Sequence, residues 1–295
     1  MKRIILVIAA LVLGTALWAQ GSKVGTSVSI IGGLSPESLA EVKDAGIDYI
    51  EVSINAFWRK KPENEVYIKA YNALKMIQDA GLKVWSVHLP FSSGRDISVI
   101  DPKKREETLE FFEEIIQLSS IFEPKYLVLH PGADTIKDGE SREERLKCSR
   151  NSIGRLAIAA RNISAVLCIE NLPRTCPGRT AQEMDYLTAN IPNVAICFDT
   201  NHLLLGSHQE FIELLGDRIK TLHISDYDAV DEKHWLPYHE QGVVDWGAFY
   251  KGMKKAGYKG LFMFEVTKKH GTPKDQLCSS RVAHTVYRYI VRILP

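Results

Sequence analysis

Short apolar runs alternate along this chain with longer stretches in which apolar and charged residues recur at helical spacing. The short runs, rich in Val, Ile, Leu and aromatic residues, read as strands at 23–30, 49–54, 83–89, 126–130, 165–171, 194–200, 219–225 and 261–266. Their near-continuous apolar character implies burial on both faces, as in a parallel sheet covered by helices. The stretches between them predict helices with recognisable ends. "SPESLAEVKDAG" has Ser35 as its cap, Pro36 at the first helical position, Glu37 and Glu41 early, and Gly46 at its close. Residues 64–81 also close on Gly, 101–120 form a long amphipathic helix, and 180–191 opens on a Thr180 cap with an acid in its first turns. Eight such units in roughly 270 residues are the size of a single-domain α/β fold, the (β/α)8 TIM barrel. An open doubly wound sheet would follow its first strand with a Gly-rich phosphate loop, and "SIIGGLSPES" contains no GxGxxG.

The first residues stand outside this pattern. "MKRIILVIAALVLGTALWAQ" joins Lys2 and Arg3 to an uncharged apolar core and a small residue at Ala19. That is the layout of a secretory signal peptide. The expected organisation is a signal peptide over 1–19 and a barrel domain over 20–295. The mature protein is then periplasmic or secreted, with no stable membrane insertion after cleavage; as an uncleaved anchor, the apolar run is short for a span. The 37 basic and 36 acidic side chains give a net charge of +1, and removing Lys2 and Arg3 takes it to −1 (+1 less two). No cationic surplus remains for nucleic acid or an anionic membrane. The five cysteines are an odd number and form no CxxC, which excludes zinc-ribbon and thioredoxin motifs.

Candidate chemistry gathers where a barrel places its active site, at the carboxyl ends of the strands. Glu51, His88, His130, Glu170, Asp199, His223 and Glu265 stand on strands two to eight, with His202 just beyond strand six. In "AICFDTNHLLL" a carboxylate and an imidazole interrupt an apolar run, which is costly unless they are paired or hold a metal. Glu170, Asp199, His223 and Glu265 lie on consecutive strands five to eight. Three carboxylates so placed repel one another unless a cation sits among them. Three oxygens and one imidazole nitrogen suit one divalent metal, Mn, Mg, Co or Zn. Cys168 and Cys197, each two residues before an acid, are expected to point into the barrel one layer beneath as small fillers. Trp85 is expected to face outward against a helix.

These motifs resemble the xylose isomerase-like barrel superfamily, in its sugar phosphate isomerase/epimerase branch. The resemblance spans about residues 23–290. It rests on "IEN" with Glu170, "CFDTNH" with Asp199 and His202, "LHISD" with His223 and "FEV" with Glu265, while "VHLP" and "LHPG" agree with strands three and four. It implies one divalent metal on Glu170, Asp199, His223 and Glu265, with Glu170 and Glu265 as paired acid/base groups beside a carbonyl. The partner it implies is a small-molecule carbohydrate and no nucleic acid; an oligomer is compatible with it. Glu51, His88, His130, Arg174, His202 and His234 are the expected substrate contacts. The expected reaction is isomerisation or epimerisation of a sugar or keto-sugar. Loss of a β-substituent at the same site would make the enzyme a lyase or dehydratase.

Two departures concern the substrate pocket. Ketose 3-epimerases carry an Arg six residues after the strand-seven His, where this chain has Ala229. The segment resembling H-x-x-P-G-x-G is longer here, and Tyr238 follows Pro237 where Gly is usual. A rival resemblance is to the AP endonucleases of the same superfamily, which bind three zinc ions. His88, His130, Glu170, Asp199, His202, His223 and Glu265 fall where such phosphodiesterases place ligands. Their Asp-x-His pair after strand seven is expected to be missing, since Asp231 stands one residue too far from His234. The charge balance also lacks a phosphate-binding surplus. A third alternative is a sugar-binding barrel that has lost turnover.

Overall fold

The computed structural model describes residues 24–27, 33–58, 63–91, 94–132 and 136–279, so the expected signal peptide lies outside it. Eight strands form one parallel sheet: β1 Val24–Ser27, β2 Tyr49–Ser53, β3 Lys83–His88, β4 Tyr126–Leu129, β5 Val166–Glu170, β6 Val194–Asp199, β7 Ile219–His223 and β8 Phe262–Phe264. Their order is β7-β6-β5-β4-β3-β2-β1-β8. The two ends of that order meet in a parallel bridge between Ile224 and Phe264. There Ile224 N–H donates to Met263 O at 2.8 Å and Glu265 N–H to Ile224 O at 3.0 Å. The sheet thereby closes into the expected single-domain (β/α)8 barrel.

The helices start where their caps predict. Ser35 and Ser38 make a reciprocal capping box at the helix Pro36–Asp44. Gly46 then turns the chain at φ +87°, a conformation that costs glycine nothing. Asp101 and Thr180 cap Pro102–Ser119 and Ala181–Thr188. Glu63–Asp79, Arg142–Asn162, His208–Leu215 and Trp246–Lys255 cover the rest of the sheet. The main core lies between these helices and the outer face of the barrel, where Phe198 stacks on Phe211 at 4.1 Å. No helix among the described residues is long and apolar enough to cross a membrane.

A second, smaller core fills the barrel itself: Tyr126, Val128, Cys168, Ala195 and Cys197, with Trp85 packed against them. Cys168 and Cys197 point inward, as alternation requires. Trp85 does not face a helix as expected. Ile50 pairs with Val84 but Glu51 with Ser86, so Trp85 is the extra residue of a bulge. The bulge turns its ring into the barrel, beside Tyr49 (6.1 Å) and Tyr126 (5.1 Å), with Nε1–H donating to Thr221 Oγ1 at 3.2 Å. These aromatics fill the barrel toward the amino ends of the strands.

Candidate metal centre and active site

Glu170, Asp199 and His223 are the last residues of β5, β6 and β7, and Glu265 follows β8 by one. Register and alternation turn all four inward, above the layer of Cys168 and Cys197. All four are buried, and one candidate ligand atom from each lies within 4.8 Å of the others. Asn171 locks two of these strand ends together. Its Oδ1 accepts from Asp199 N–H at 2.8 Å and its Nδ2 donates to Asp199 O at 2.9 Å.

The quartet is short of positive charge. His223 Nδ1 faces Glu170 Oε1 at 3.1 Å, Glu265 Oε2 at 3.2 Å and Asp199 Oδ2 at 3.7 Å. A ring nitrogen carries at most one proton, so it cannot serve three carboxylates. Asp199 Oδ2 is buried without a hydrogen-bond partner, although Oδ1 accepts from Asn201 N–H at 2.6 Å. Burial pushes the Asp199 carboxyl up to about 6. Burial opposes the charge of His223 too, yet Cys197 and the Glu51, Glu265 and Glu170 carboxylates raise it well above the usual imidazole range. Burial likewise works against Glu170 and Glu265, but His223 and its neighbours hold both below the usual carboxylate range. A divalent cation among these atoms would satisfy all three acids at once. The three-oxygen, one-nitrogen donor set therefore fits a hard or borderline metal.

Glu51 is not placed to touch a substrate. It is fully buried in mid-β2, with both carboxylate oxygens 3.1 Å from His223 Nε2. Ser86 Oγ–H donates to it at 2.8 Å. Glu51 thus orients the imidazole and leaves Nδ1 toward the other three acids, the position a carboxylate takes behind a metal-binding histidine.

Two further groups adjoin the quartet. His88 and His130 each place Nε2 3.1 Å from Glu170 Oε2. Burial would lower His88, but Glu170 raises it to about 8, whereas burial prevails at His130 and lowers it. On the other side, His202 places Nδ1 3.3 Å from Asp199 and 3.4 Å from Glu170, and Nε2 3.0 Å from Glu232. His234 completes this third group, His202–Glu232–His234, while Glu170 is shared by the first two. Glu232 corrects the sequence reading. The acid-x-His pair is present, with Glu232 in place of Asp, and the spacing Glu232-Lys233-His234 was the signal for it.

The loop that carries Glu232 and His234 is held by side chains. Asn201 Oδ1 accepts from Lys233 N–H (2.9 Å) and His234 N–H (3.1 Å). Buried Asp226 accepts from Tyr227 N–H, Tyr238 N–H and Trp246 Nε1–H at 3.0, 3.2 and 2.8 Å. A side chain at Gly242 would overlap that carboxylate. Ala229, His234 and Tyr238 all have positive φ, at +61°, +52° and +67°. Non-glycine residues in this region are uncommon, and they gather at sites where the surroundings over-determine the backbone. Tyr238 thus occupies, under strain, the turn where the resemblance leads one to expect Gly. Arg174 is also drawn into this loop. Its guanidinium lies 2.8 Å from Asp231 and 2.6 Å from Glu232, so its charge is met by carboxylates and not held out for a substrate.

Comparison with known proteins agrees with this architecture. The model of the xylose isomerase-like TIM barrel family matches residues 39–281. A solved L-ribulose 3-epimerase superposes with a TM-score of 0.75 at 17% identity, covering 92% of this chain and 98% of its own; at that identity it speaks to the fold. A Haemophilus influenzae protein provisionally named L-ribulose-5-phosphate 3-epimerase is 23% identical over 261 residues, 83% of this chain and 88% of that protein. A Listeria monocytogenes protein provisionally named endonuclease 4 is 25% identical over 286 residues, 83% of this chain and 93% of that protein. With the family model matching most of its length, the chain belongs to the xylose isomerase-like TIM barrel family.

Proposed function

We propose that this chain is an exported, metal-dependent sugar epimerase or isomerase that moves a proton beside a carbonyl. The observation that carries the reading is the buried quartet, in which Glu170 and Glu265 reach one point from β5 and β8. A divalent metal bound there supplies Lewis acidity to a carbonyl and its neighbouring hydroxyl. The chain's own residues do the rest. One glutamate accepts the proton of the hydroxyl-bearing carbon next to the carbonyl, and the other returns a proton to the opposite face. Return to the same carbon gives the epimer, return to the adjacent carbon gives the isomer, and loss of a β-substituent gives an enone. His88, His130, His202 and His234 hold hydroxyls from both flanks. Export rests on the amino-terminal segment, and it favours a neutral sugar over a sugar phosphate.

The test is incubation of metal-loaded protein with neutral ketoses and 3-keto-glycosides in deuterated water, followed by NMR. Deuterium should appear beside the carbonyl together with a new sugar. A second reading, a phosphodiesterase of the endonuclease 4 kind, is favoured by one observation, the three adjoining ligand groups. Cleavage of abasic-site DNA, with no deuterium entering any sugar, would establish it in place of the first. Against it stands Arg174, whose guanidinium already meets the Glu232 carboxylate that a further cation would need.

A further inference from the structure

We propose that Phe91 is a stacking platform for a ring-form sugar, which makes the mouth a pyranoside site and not an open-chain ketose site. The inference deepens the sugar reading above and rests on it. Phe91 is the one phenylalanine among the exposed large hydrophobic side chains of the described residues, at 40% exposure. It stands over the chemistry and away from the apolar core. Its ring stacks on His130 (centroids 4.9 Å, planes 26° apart) and meets His88 edge-on at 5.1 Å. Those two imidazoles are the pair that meets Glu170 at Oε2.

The position of Phe91 is fixed from below. Leu89 and Pro90 before it are buried, and Leu89 N–H donates to Val128 O of β4 at 2.9 Å. The connection farther on is pinned by buried Arg145, which pairs with Asp96 and donates to Ser98 Oγ at 3.0 Å. An aromatic face held at a polar mouth has a specific use. A pyranose has an apolar face of C–H bonds and a rim of hydroxyls, so the plate takes the face while imidazoles and carboxylates take the rim. An open-chain ketose has no such face. A nucleobase would also stack, but base-stacking sites pair their aromatics with a cationic groove. At this mouth Arg174 is already met by Asp231 and Glu232.

The experiment is saturation-transfer NMR on the metal-loaded protein, with methyl β-D-glucopyranoside, L-erythrulose (a ketose too short to close a pyranose ring) and thymidine as separate probes. In the unaltered protein saturation should reach one axial face of the glucoside ring more than the other. Phe91→Trp should keep that pattern. Phe91→Ala should weaken glucoside binding about threefold to tenfold, the scale of one aromatic stack, with metal content and melting temperature unchanged. Equal saturation of the glucoside in Phe91→Ala, none in the unaltered protein, or saturation of thymidine alone would each overturn the proposal. Its failure is separable from that of the sugar chemistry. Deuterium exchange into an open-chain ketose, indifferent to Phe91→Ala, removes the platform and leaves the chemistry. Face-selective glucoside binding without exchange into any sugar removes the chemistry and leaves the platform.

Discussion

The quartet Glu170–Asp199–His223–Glu265 and the group His202–Glu232–His234 adjoin one another, yet they are built by different means. The first stands on strand ends, where hydrogen-bond register fixes each side chain. The second stands on connections, held by Asn201 and Asp226 and by a backbone with left-handed residues. Their charges differ as well. In the quartet three acids crowd one nitrogen, and Asp199 keeps an unpartnered oxygen. In the second group Glu232 already has Arg174 on one oxygen and His202 on the other, and the His202 hydrogen bond helps to draw it down to about 2. An unsatisfied cluster requires a cation, whereas a satisfied one serves as a hydrogen-bonding wall. Under the proposed function, the tight metal belongs to the strands and the substrate's hydroxyls to the loop.

The largest way to break this division is at the acid/base pair. Glu170→Gln and Glu265→Gln should each lower turnover by about 10² to 10⁴, the range of positioned proton transfer. Excess metal should not restore it; full rescue in both variants would reduce the glutamates to ligands. Next comes the residue behind His223. Glu51→Gln should weaken metal affinity about 10- to 100-fold while leaving substrate affinity of the metal-saturated enzyme unchanged. A raised KM at saturating metal would instead return Glu51 to the substrate.

Acidity sharpens the same contrast. Asp199 in the metal-free protein is raised to about 6 by burial, and a protonated carboxyl is a poor ligand. Metal affinity should therefore fall as pH drops through that value, as titration with a metal indicator would show. An affinity flat from neutrality to well below 6 would contradict the placement. The smallest effect belongs to the loop. Glu232→Gln should keep the quartet's metal and raise KM by a few fold. Loss of the tight metal in that variant would erase the distinction between the two groups.

The same contrast explains what could be read from the sequence. Apolar runs exposed all eight strands, and an acid or histidine closing each of the last four exposed the quartet. Depth along a strand is less legible. Glu51 lies two residues before the end of β2, one layer too low for a substrate. Simple alternation puts Trp85 on the wrong face because it fails at a bulge, and the shift at Ile50/Glu51 leaves no local mark in the sequence. Glu232 escaped notice because a carboxylate one methylene longer stands where Asp is the rule. Arg174 reads from sequence as a substrate contact, because its partners Asp231 and Glu232 lie on a distant connection that only the folded barrel brings near. Strand chemistry is periodic and can be read locally; loop chemistry depends on contacts far apart in the chain.

The central claim is that one strand-borne metal makes this site work, and counting metal tests it most directly. Purified protein, loaded and then dialysed against weak chelator, should hold one tightly bound divalent ion per chain by elemental analysis. Asp199→Ala should lose that ion and His234→Ala should keep it. Three tightly bound ions, or one that survives Asp199→Ala and leaves with His234→Ala, would contradict the account.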